Sequence, residues 1–298
     1  MQDEELRNAA FAELQRLSTL HGPEIPYRAG LDAGFPFRGG SIPFLTPYKG
    51  IYRARAQDGP AALSINTSYD SPYRDRVTSD GYVYSYRSGS IDQPDNRALR
   101  AAHELQVPIV YFVPIQPGIY QPLFPWYVDS DDPVEREVTL SPGHVVRGGA
   151  TDRSEPFDDP IERQYAFRTT RVRIHQRRFR GAVLPAYRNR CAICRLREGQ
   201  LLDAAHIVSD REAEGQPVIS NGLSLCSIHH RAFDEDLVGV APDLRVHVSR
   251  RLLDDEDGPM LDLLKGFHGG TIETPGRRVW RPDPERLAVR FERFHDAA

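Results

Sequence analysis

Two pairs of residues in the second half of the chain have the types and the spacing of ligands for one metal ion. The first pair is Cys191 and Cys194, and the second is Cys226 and His229. Two such pairs supply the four ligands of a tetrahedral zinc ion, so we expect a structural Zn²⁺ site with no position left for a substrate. The alternative is that the cysteines are buried free thiols at this spacing by chance. The chain has three cysteines, and an odd number in 298 residues does not suit a disulfide framework.

Residues between the two pairs and directly after them could perform acid–base or metal chemistry. His206 is the one imidazole in LLDAAHIVSD, an apolar run that suits a β-strand. Asn221 begins an Asn-Gly dipeptide, a favoured turn of β-hairpins. His230 opens HHRAFDEDL, and a helix beginning there would place Asp234 one turn along the same face, where two ligands can hold a divalent ion. The structural alternatives are a packed strand histidine, an ordinary turn and a group close to the zinc.

The order of the segments CAIC, AAHI, NGLSLC and HHRAFD resembles the HNH endonuclease motif in its ββα-metal form with zinc knuckles, over about residues 187–240. The resemblance implies hydrolysis of DNA phosphodiester bonds. It implies that His206 is the general base that activates water, for which a histidine pKa of about 6.5 is suited. It also implies that Asn221 orients His206 and that His230 and Asp234 bind a catalytic ion. A carboxylate ligand favours Mg²⁺ or Mn²⁺ as that ion.

One position departs from the motif. Many relatives carry an Asp or His directly before the base as an additional metal ligand, and this chain has Ala205. The catalytic ion would lack a protein ligand unless Asp203, water or a substrate phosphate completes its shell. A zinc-stabilised protein that binds modified DNA and has an inactive nuclease centre therefore stays open as an alternative.

A stripe of arginines precedes this block, although the net charge of the chain is −4. Residues 163–190 contain nine arginines and no acidic residue. Such a surplus favours contact with DNA phosphates, and we expect Arg177, Arg178 and Arg180 to make these contacts. The alternative is a solvated helix face.

The length of the chain predicts two domains, because 298 residues exceed what one core usually holds. Residues 3–20 have the apolar spacing of an amphipathic helix, and short β-type runs punctuated by Pro, Gly, Asn and Asp follow from about residue 40. We expect an α+β fold with a β-rich recognition domain over residues 1–140, a linker over 141–160 and the nuclease domain over 161–298.

Three runs in the first domain resemble the SRA (SET- and RING-associated) domain, a PUA-like β-barrel that binds modified cytosine flipped out of duplex DNA. The runs are ALSINTSYDSPY, DGYVYSYRSGS and DQPDNRALRAA. The resemblance implies that two aromatic rings enclose the flipped base and that a nearby acid reads its polar edge. Tyrosines are also common on strands for reasons of packing alone, which is the structural alternative. By position, the implied base pocket consists of Tyr69, Asp70, Tyr84 and Ser85.

These observations predict a modification-dependent DNA endonuclease, similar to type IV restriction enzymes, whose partner is double-stranded DNA carrying 5-methylcytosine or a related base. An HNH nuclease that reads another modification, such as phosphorothioate, is a further alternative. We expect a homodimer, because one HNH centre hydrolyses one strand at a time. The interface would use apolar residues at helical spacing, which could instead pack on their own domain: Leu261, Leu264, Phe267, Leu287, Phe291 and Phe294.

The ends and apolar runs of the chain bear on its location. The acidic segment MQDEELRNAAFAELQRL lacks the charge pattern of a secretory signal, and prolines interrupt the longest apolar run, at 107–120. We therefore expect a cytoplasmic protein with no membrane partner.

Overall fold

The computed structural model describes residues 2–46, 48–67, 69, 76–78, 81–146, 153–157, 159–210, 212, 215–256 and 258–297. The chain divides into two units, residues 1–174 and 175–298. The division falls within the helix Pro160–Ala186, and the predicted domain bounds at residues 140 and 160 stay a prediction.

Unit 1 is built mainly from strands. Its elements in chain order are α1 Gln2–His21, β1 Ile25–Pro26, a short π-helix Tyr27–Leu31, β2 Phe35–Phe37, β3 Gly40–Ile42, β4 Ile51–Tyr52, β5 Ser64–Asn66, β6 Arg76–Val77, β7 Tyr82–Ser85, α2 Pro94–Glu104, β8 Ile109–Gln116, β9 Ile119–Asp132, β10 Glu137–Val146 and β11 Arg153–Pro156. Helix α3, Pro160–Ala186, belongs to unit 1 up to residue 174.

Nine strands of unit 1 form one sheet. Its order is β4-β5-β8-β9-β10-β7-β6, with β1 added to β9 and β11 added to β10. Only β5 and β8 pair in parallel among these strands. Within the described residues the outer strands β4 and β6 are not paired to each other, so the sheet is open and the predicted closed barrel is not confirmed. Residues 141–146 and 153–156, in the predicted linker, lie in β10 and β11.

Both faces of the central strand β8 are buried, which explains its continuous apolar sequence. Val110 and Phe112 point into the core that includes α1. Tyr111 and Val113, which alternate with them, point into a second core with α2 and the first part of α3. The predicted N-terminal amphipathic helix is confirmed as α1, whose apolar face is buried in the first of these cores.

Unit 2 begins within α3 and contains the segment rich in cysteine and histidine. Its further elements are the 3₁₀ turn Gly199–Leu201, β12 Leu202–His206, the 3₁₀ turn Ile219–Asn221, β13 Gly222–Cys226, α4 Ser227–Asp234, β14 Val238–Val240, β15 Val246–Val248, α5 Arg250–Leu253, α6 Pro259–Lys265, the 3₁₀ turn Arg278–Trp280 and α7 Pro284–Ala297. Strands β12 and β13 form an antiparallel hairpin and α4 follows at once, so the expected ββα order is confirmed.

The C-terminal helix α7 packs on its own unit. Leu287 is fully buried and Phe294 is 4% exposed. The ring of Phe294 lies so close to Gly239 of β14 that a Cβ atom there would come within 2.6 Å of it. These apolar residues therefore pack back on their own domain, the alternative to a dimer interface.

None of the described helices combines the length and apolar composition that crossing a bilayer requires.

Candidate active site and zinc centre

The first metal-ligand pair lies in a tight turn after α3. Cys191 and Cys194 belong to a loop closed by hydrogen bonds from the Arg195 amide to the Cys191 carbonyl and from the Cys191 amide to the Leu196 carbonyl, each 2.9 Å long. The Ala192 amide donates to the carbonyl of Ser224 in β13 at 2.7 Å. The backbone of this loop is thereby docked on the hairpin.

The second pair lies where β13 passes into α4. Cys226 is the last residue of the strand, and His229 lies in the first turn of the helix. The His229 ring is buried edge-on against Phe267, and its Nε2 lies 3.1 Å from the Leu263 carbonyl oxygen. A hydrogen bond from Nε2 to that carbonyl leaves Nδ1 as the metal ligand.

The four ligand atoms are placed as one zinc ion would hold them. They lie within 4.8 Å of one another. The Sγ atoms of Cys194 and Cys226 are 3.8 Å apart, and His229 Nδ1 lies 3.6 Å from Cys191 Sγ and 3.1 Å from Cys226 Sγ. Zinc–sulfur bonds of about 2.3 Å place neighbouring ligands of a tetrahedron about 3.8 Å apart. Hydrogen bonds from the Cys191 and Cys194 thiols hold the pKa of Cys226 well below its usual range.

Loss of one ligand should unfold this part of unit 2. We expect Cys194→Ser to lower the melting temperature by on the order of 10 °C and to remove bound zinc, because ligand binding and folding are coupled in small zinc sites. Calorimetry and elemental analysis measure these quantities. Ile228→Ala is the control. Ile228 lies between the ligands Cys226 and His229 in the sequence, is 41% exposed and offers no metal-binding atom. Equal melting temperatures for the two variants would contradict a structural zinc.

His206 is held at the end of the hairpin by packing against α3. It pairs with Gly222 across the strands, and its imidazole stacks on Phe179 with ring centroids 3.8 Å apart and an interplanar angle of 12°. A Cβ atom at Gly222 would lie 2.5 Å from Val183 and 2.8 Å from Phe179, so glycine permits this close approach. Tyr187 donates a hydrogen bond to the Gly222 carbonyl at 3.1 Å.

Asn221 fixes the backbone that leaves His206. Its Oδ1 accepts a hydrogen bond from the Val208 amide at 2.9 Å, and its Nδ2 donates to the carbonyls of Val208 at 3.0 Å and Gln216 at 3.1 Å. Its own carbonyl accepts from the Ile207 amide at 2.9 Å. Asn221 is fully buried, so these bonds replace water at its amide group. Its contact with His206 is therefore indirect, through the two residues that follow the histidine.

His206 lines a cleft of 760 Å³ together with His230, Asp203 and Asp234. Among the described residues the buried Nε2 atom of His206 has no hydrogen-bond partner, as expected for an acceptor whose partner arrives with the substrate. Burial lowers the pKa of His206, while the carboxylate of Asp210 acts in the opposite direction.

A lowered pKa predicts a base that works at mildly acidic pH. His206 accepts a proton only when neutral, and the lower pKa keeps it neutral below its ordinary value of 6.5. We expect the acid limb of single-turnover cleavage to have its midpoint below pH 6.5. Phe179→Leu removes the ring that stacks on His206 and should admit water to the imidazole, so we expect it to raise that midpoint. A wild-type midpoint above 6.5 would contradict the assignment of His206 as a desolvated base.

His230 lies between two carboxylates, one at each ring nitrogen. Its Nδ1 is 3.8 Å from Asp203 Oδ2, and its Nε2 is 3.5 Å from Asp234 Oδ2. Two ligands of one small divalent ion lie about 3–4 Å apart when each bond is about 2.1 Å, so the donor set suits Mg²⁺ or Mn²⁺. An ion bound through one nitrogen leaves the other N–H to donate to the second carboxylate. Ala205 is fully buried, and the carboxylate two residues before it, that of Asp203, lies next to His230.

The three arginines expected at DNA phosphates are half-buried on α3. Arg180 donates from Nη2 to the carbonyls of Gly199 at 2.9 Å and Leu202 at 3.2 Å, and its Nε lies 3.7 Å from Asp203. Arg180 therefore holds the segment that begins β12. The contacts of all three arginines with DNA stay a prediction.

The residues of the implied base pocket have different surroundings. Tyr69 is 42% exposed, whereas Tyr84 is 5% exposed and lies edge-on to Tyr111 in the unit 1 core. The Tyr84 hydroxyl is 3.4 Å from the Asn66 carbonyl oxygen. Ser85 is half-buried at the end of β7, and Asp70 lies outside the described residues.

Two features of the cleft are absent from the sequence prediction. Phe179, which covers His206, lies within the arginine stripe, where its apolar character looks like ordinary helix packing. Val289, Arg290 and Arg293 of α7 also line the cleft, although nothing in their sequence pattern marks them as neighbours of His206. These contacts depend on how distant elements pack.

Residues 191–241 match the family model described as HNH endonuclease. The segment includes both ligand pairs and the residues His206, Asn221 and His230. The chain thus carries an HNH endonuclease domain, and the expected enzyme class, a DNA endonuclease, is confirmed.

No curated protein sequence matches the chain. Among solved structures, the chain is similar to one titled "Modification dependent TagI restriction endonuclease". The sequence identity is 16%, the TM-score is 0.32, and the comparison covers 90% of this chain and 88% of that chain. The family model ends within unit 2, and the SRA-like assignment of unit 1 stays a prediction.

Proposed function

We propose that the protein is a DNA endonuclease that acts on DNA carrying modified cytosine, with 5-methylcytosine as the base it reads. The observation that supports the hydrolytic part is the 760 Å³ cleft that brings His206 together with His230 and its two flanking carboxylates. A base beside a candidate site for a divalent ion is the combination that phosphodiester hydrolysis requires.

His206 would begin the reaction by accepting a proton from water at Nε2. The water oxygen then attacks phosphorus, the bond to the 3′ oxygen breaks, and that oxygen takes a proton from solvent. A divalent ion held by His230 with Asp203 or Asp234 would offset negative charge on the scissile phosphate. Asn221 keeps His206 in place through the backbone of residues 207 and 208, while the ring of Phe179 excludes water from one face of the imidazole.

The position of Asp203 favours an active centre over an inactive one. The inactive alternative rests on Ala205, where many relatives have a ligand. Asp203 lies on the same strand and its carboxylate is 3.8 Å from His230 Nδ1, within reach of a shared ion. One oxygen of Asp203 is held by the Ala204 amide and lies near Arg180, while the other oxygen faces His230.

The proposal that unit 1 reads the base modification is supported by its resemblance to the SRA domain and by its separate core. A small nuclease module has little sequence preference of its own, and unit 1 is the part of the chain that could select the target. Tyr69 is exposed and can stack on a base, whereas Tyr84 would have to leave the core to do so.

A panel of modified plasmids tests the choice of target. We expect cleavage of 5-methylcytosine plasmid with Mg²⁺ or Mn²⁺ and none of unmodified plasmid under the same conditions. Equal cleavage of both would contradict dependence on modification. Cleavage of phosphorothioate plasmid alone would assign unit 1 to a different mark, and binding without cleavage of any plasmid would favour the inactive nuclease.

The role of Tyr69 in recognising the modified base can be tested against a second exposed tyrosine of unit 1, Tyr48. We expect Tyr69→Ala to lose the preference for methylated duplex in competition binding, because a stacking surface is removed. Tyr48→Ala should keep that preference, since Tyr48 is 94% exposed and lies outside the implied pocket. Unchanged preference in Tyr69→Ala would contradict this base contact. Tyr84 is unsuited to this test, because truncating a buried aromatic ring costs about 3–5 kcal/mol of folding stability.

The homodimer stays a prediction. Each chain has one candidate centre among its described residues, and a double-strand break needs two centres or two visits. Sedimentation with DNA should show a dimer that linearises plasmid without accumulating nicked circles. A monomer that only nicks DNA would contradict it.

A further inference from the structure

The cleft around His206 has a wall that lies outside the HNH segment 191–241. Helix α7 contributes Val289, Arg290 and Arg293 to the lining. The helix is fixed in place by buried Leu287 and by the contact of Phe294 with Gly239. Its two arginines therefore face the cleft from a packed element.

Two guanidinium groups on this wall share one carboxylate. Arg290 donates to one oxygen of Asp236 and to the Phe233 carbonyl, and its guanidinium lies over the Phe233 ring at 4.5 Å. Arg293 donates from Nε to the other oxygen of Asp236 at 3.3 Å. The Asp236 side chain is only 13% exposed, and both of its oxygens are engaged. One of the two positive charges is therefore left without a counterion in this network.

The surplus charge is available at Arg293. The Arg290 side chain is 8% exposed and both of its Nη atoms are engaged, whereas the Arg293 side chain is 59% exposed. Within the described part of the chain, neither Nη atom of Arg293 has a hydrogen-bond partner. A guanidinium held by its Nε still presents two donors, which is the geometry that binds two phosphate oxygens.

The charge balance of the cleft shows why a phosphate would need this donor. The lining carries two arginines and four carboxylates, a net charge of −2 when its histidines are neutral, and this becomes −3 without Arg293. A bound divalent ion would bring the lining to zero with Arg293 in place, whereas without Arg293 the lining would stay negative and repel an entering phosphodiester. The carboxylates are Asp203, Asp210, Glu212 and Asp234.

We propose that Arg293 binds the DNA phosphate in this cleft and stabilises the negative charge that develops during hydrolysis. The inference rests on the endonuclease activity and not on the modification that unit 1 reads. Asp236 positions Arg293 by holding Nε, and Arg290 in turn holds Asp236. The C-terminal helix is then part of the nuclease centre and not only a cover for its core.

The test compares Arg293→Ala and Arg293→Lys with wild type by single-turnover cleavage in Mg²⁺ and by the salt dependence of duplex binding in Ca²⁺. We expect Arg293→Ala to cleave about 10- to 1000-fold more slowly, as for loss of one preorganised donor to a transition state. The slope of log affinity against log salt should become shallower by about one. Arg293→Lys should keep the salt slope and recover only part of the rate, because an ammonium lacks the two-pronged geometry.

Arg231→Ala is the matched control. Arg231 is an exposed arginine of α4, paired with Glu235, that does not line the cleft, and we expect neither its rate nor its salt slope to change. A wild-type rate in Arg293→Ala would overturn the inference, as would a slower rate with an unchanged salt slope and a lower melting temperature. Failure of wild type to cut any DNA would instead contradict the proposed function, and the salt slope in Ca²⁺ would still test the phosphate contact.

Discussion

The cluster of three cysteines and one histidine that could bind a zinc ion is the feature on which our account of the nuclease unit depends. The ligands come from two short segments, a turn after α3 and the junction of β13 with α4, and their spacing fits one zinc ion. Structural zinc contributes about 10–16 kcal/mol in small zinc-finger peptides, comparable with the whole net stability of a domain, about 5–15 kcal/mol. The same junction starts the helix that carries His230, so the fold of the ligand cluster also sets the position of His230 in the cleft.

Two opposing physical effects act on His206 in the cleft. Burial, with the Phe179 ring stacked on the imidazole, favours the neutral form, whereas the surrounding carboxylates favour the protonated form. The carboxylates also make the cleft attractive to a divalent ion and unattractive to DNA. Positive charge must therefore accompany the phosphate. A divalent ion bound by the donor set around His230 could provide one part of it, and the guanidinium of Arg293 could provide the other.

The sequence predicts those parts of the site that depend on local spacing. Within each ligand pair the two residues lie three positions apart, and Asn221 lies five positions before Cys226, so these local spacings indicate the ββα-metal unit. The predicted Asn-Gly hairpin turn is wrong, because Asn221 ends a 3₁₀ turn and Gly222 is extended at the start of β13. Phe179 and Arg293 reach the site through packing between distant helices, which no short pattern encodes. In unit 1, the alternation of side chains along a strand does not tell whether Tyr84 points into the hydrophobic core or into a ligand pocket. The sheet of the described residues is open because its two outer strands do not pair with each other. Short β-type runs in the sequence do not specify which strands pair, so they could not predict this.

The most direct test of this account is the single-turnover cleavage rate of His206→Ala, measured together with its duplex affinity and melting temperature. We expect a rate at least about 100-fold lower, since a general base is lost, with affinity and melting temperature close to those of wild type. Retention of the wild-type rate would contradict the role of His206. A lower rate that is accompanied by unfolding would contradict the separation between the zinc-held scaffold and the reacting base.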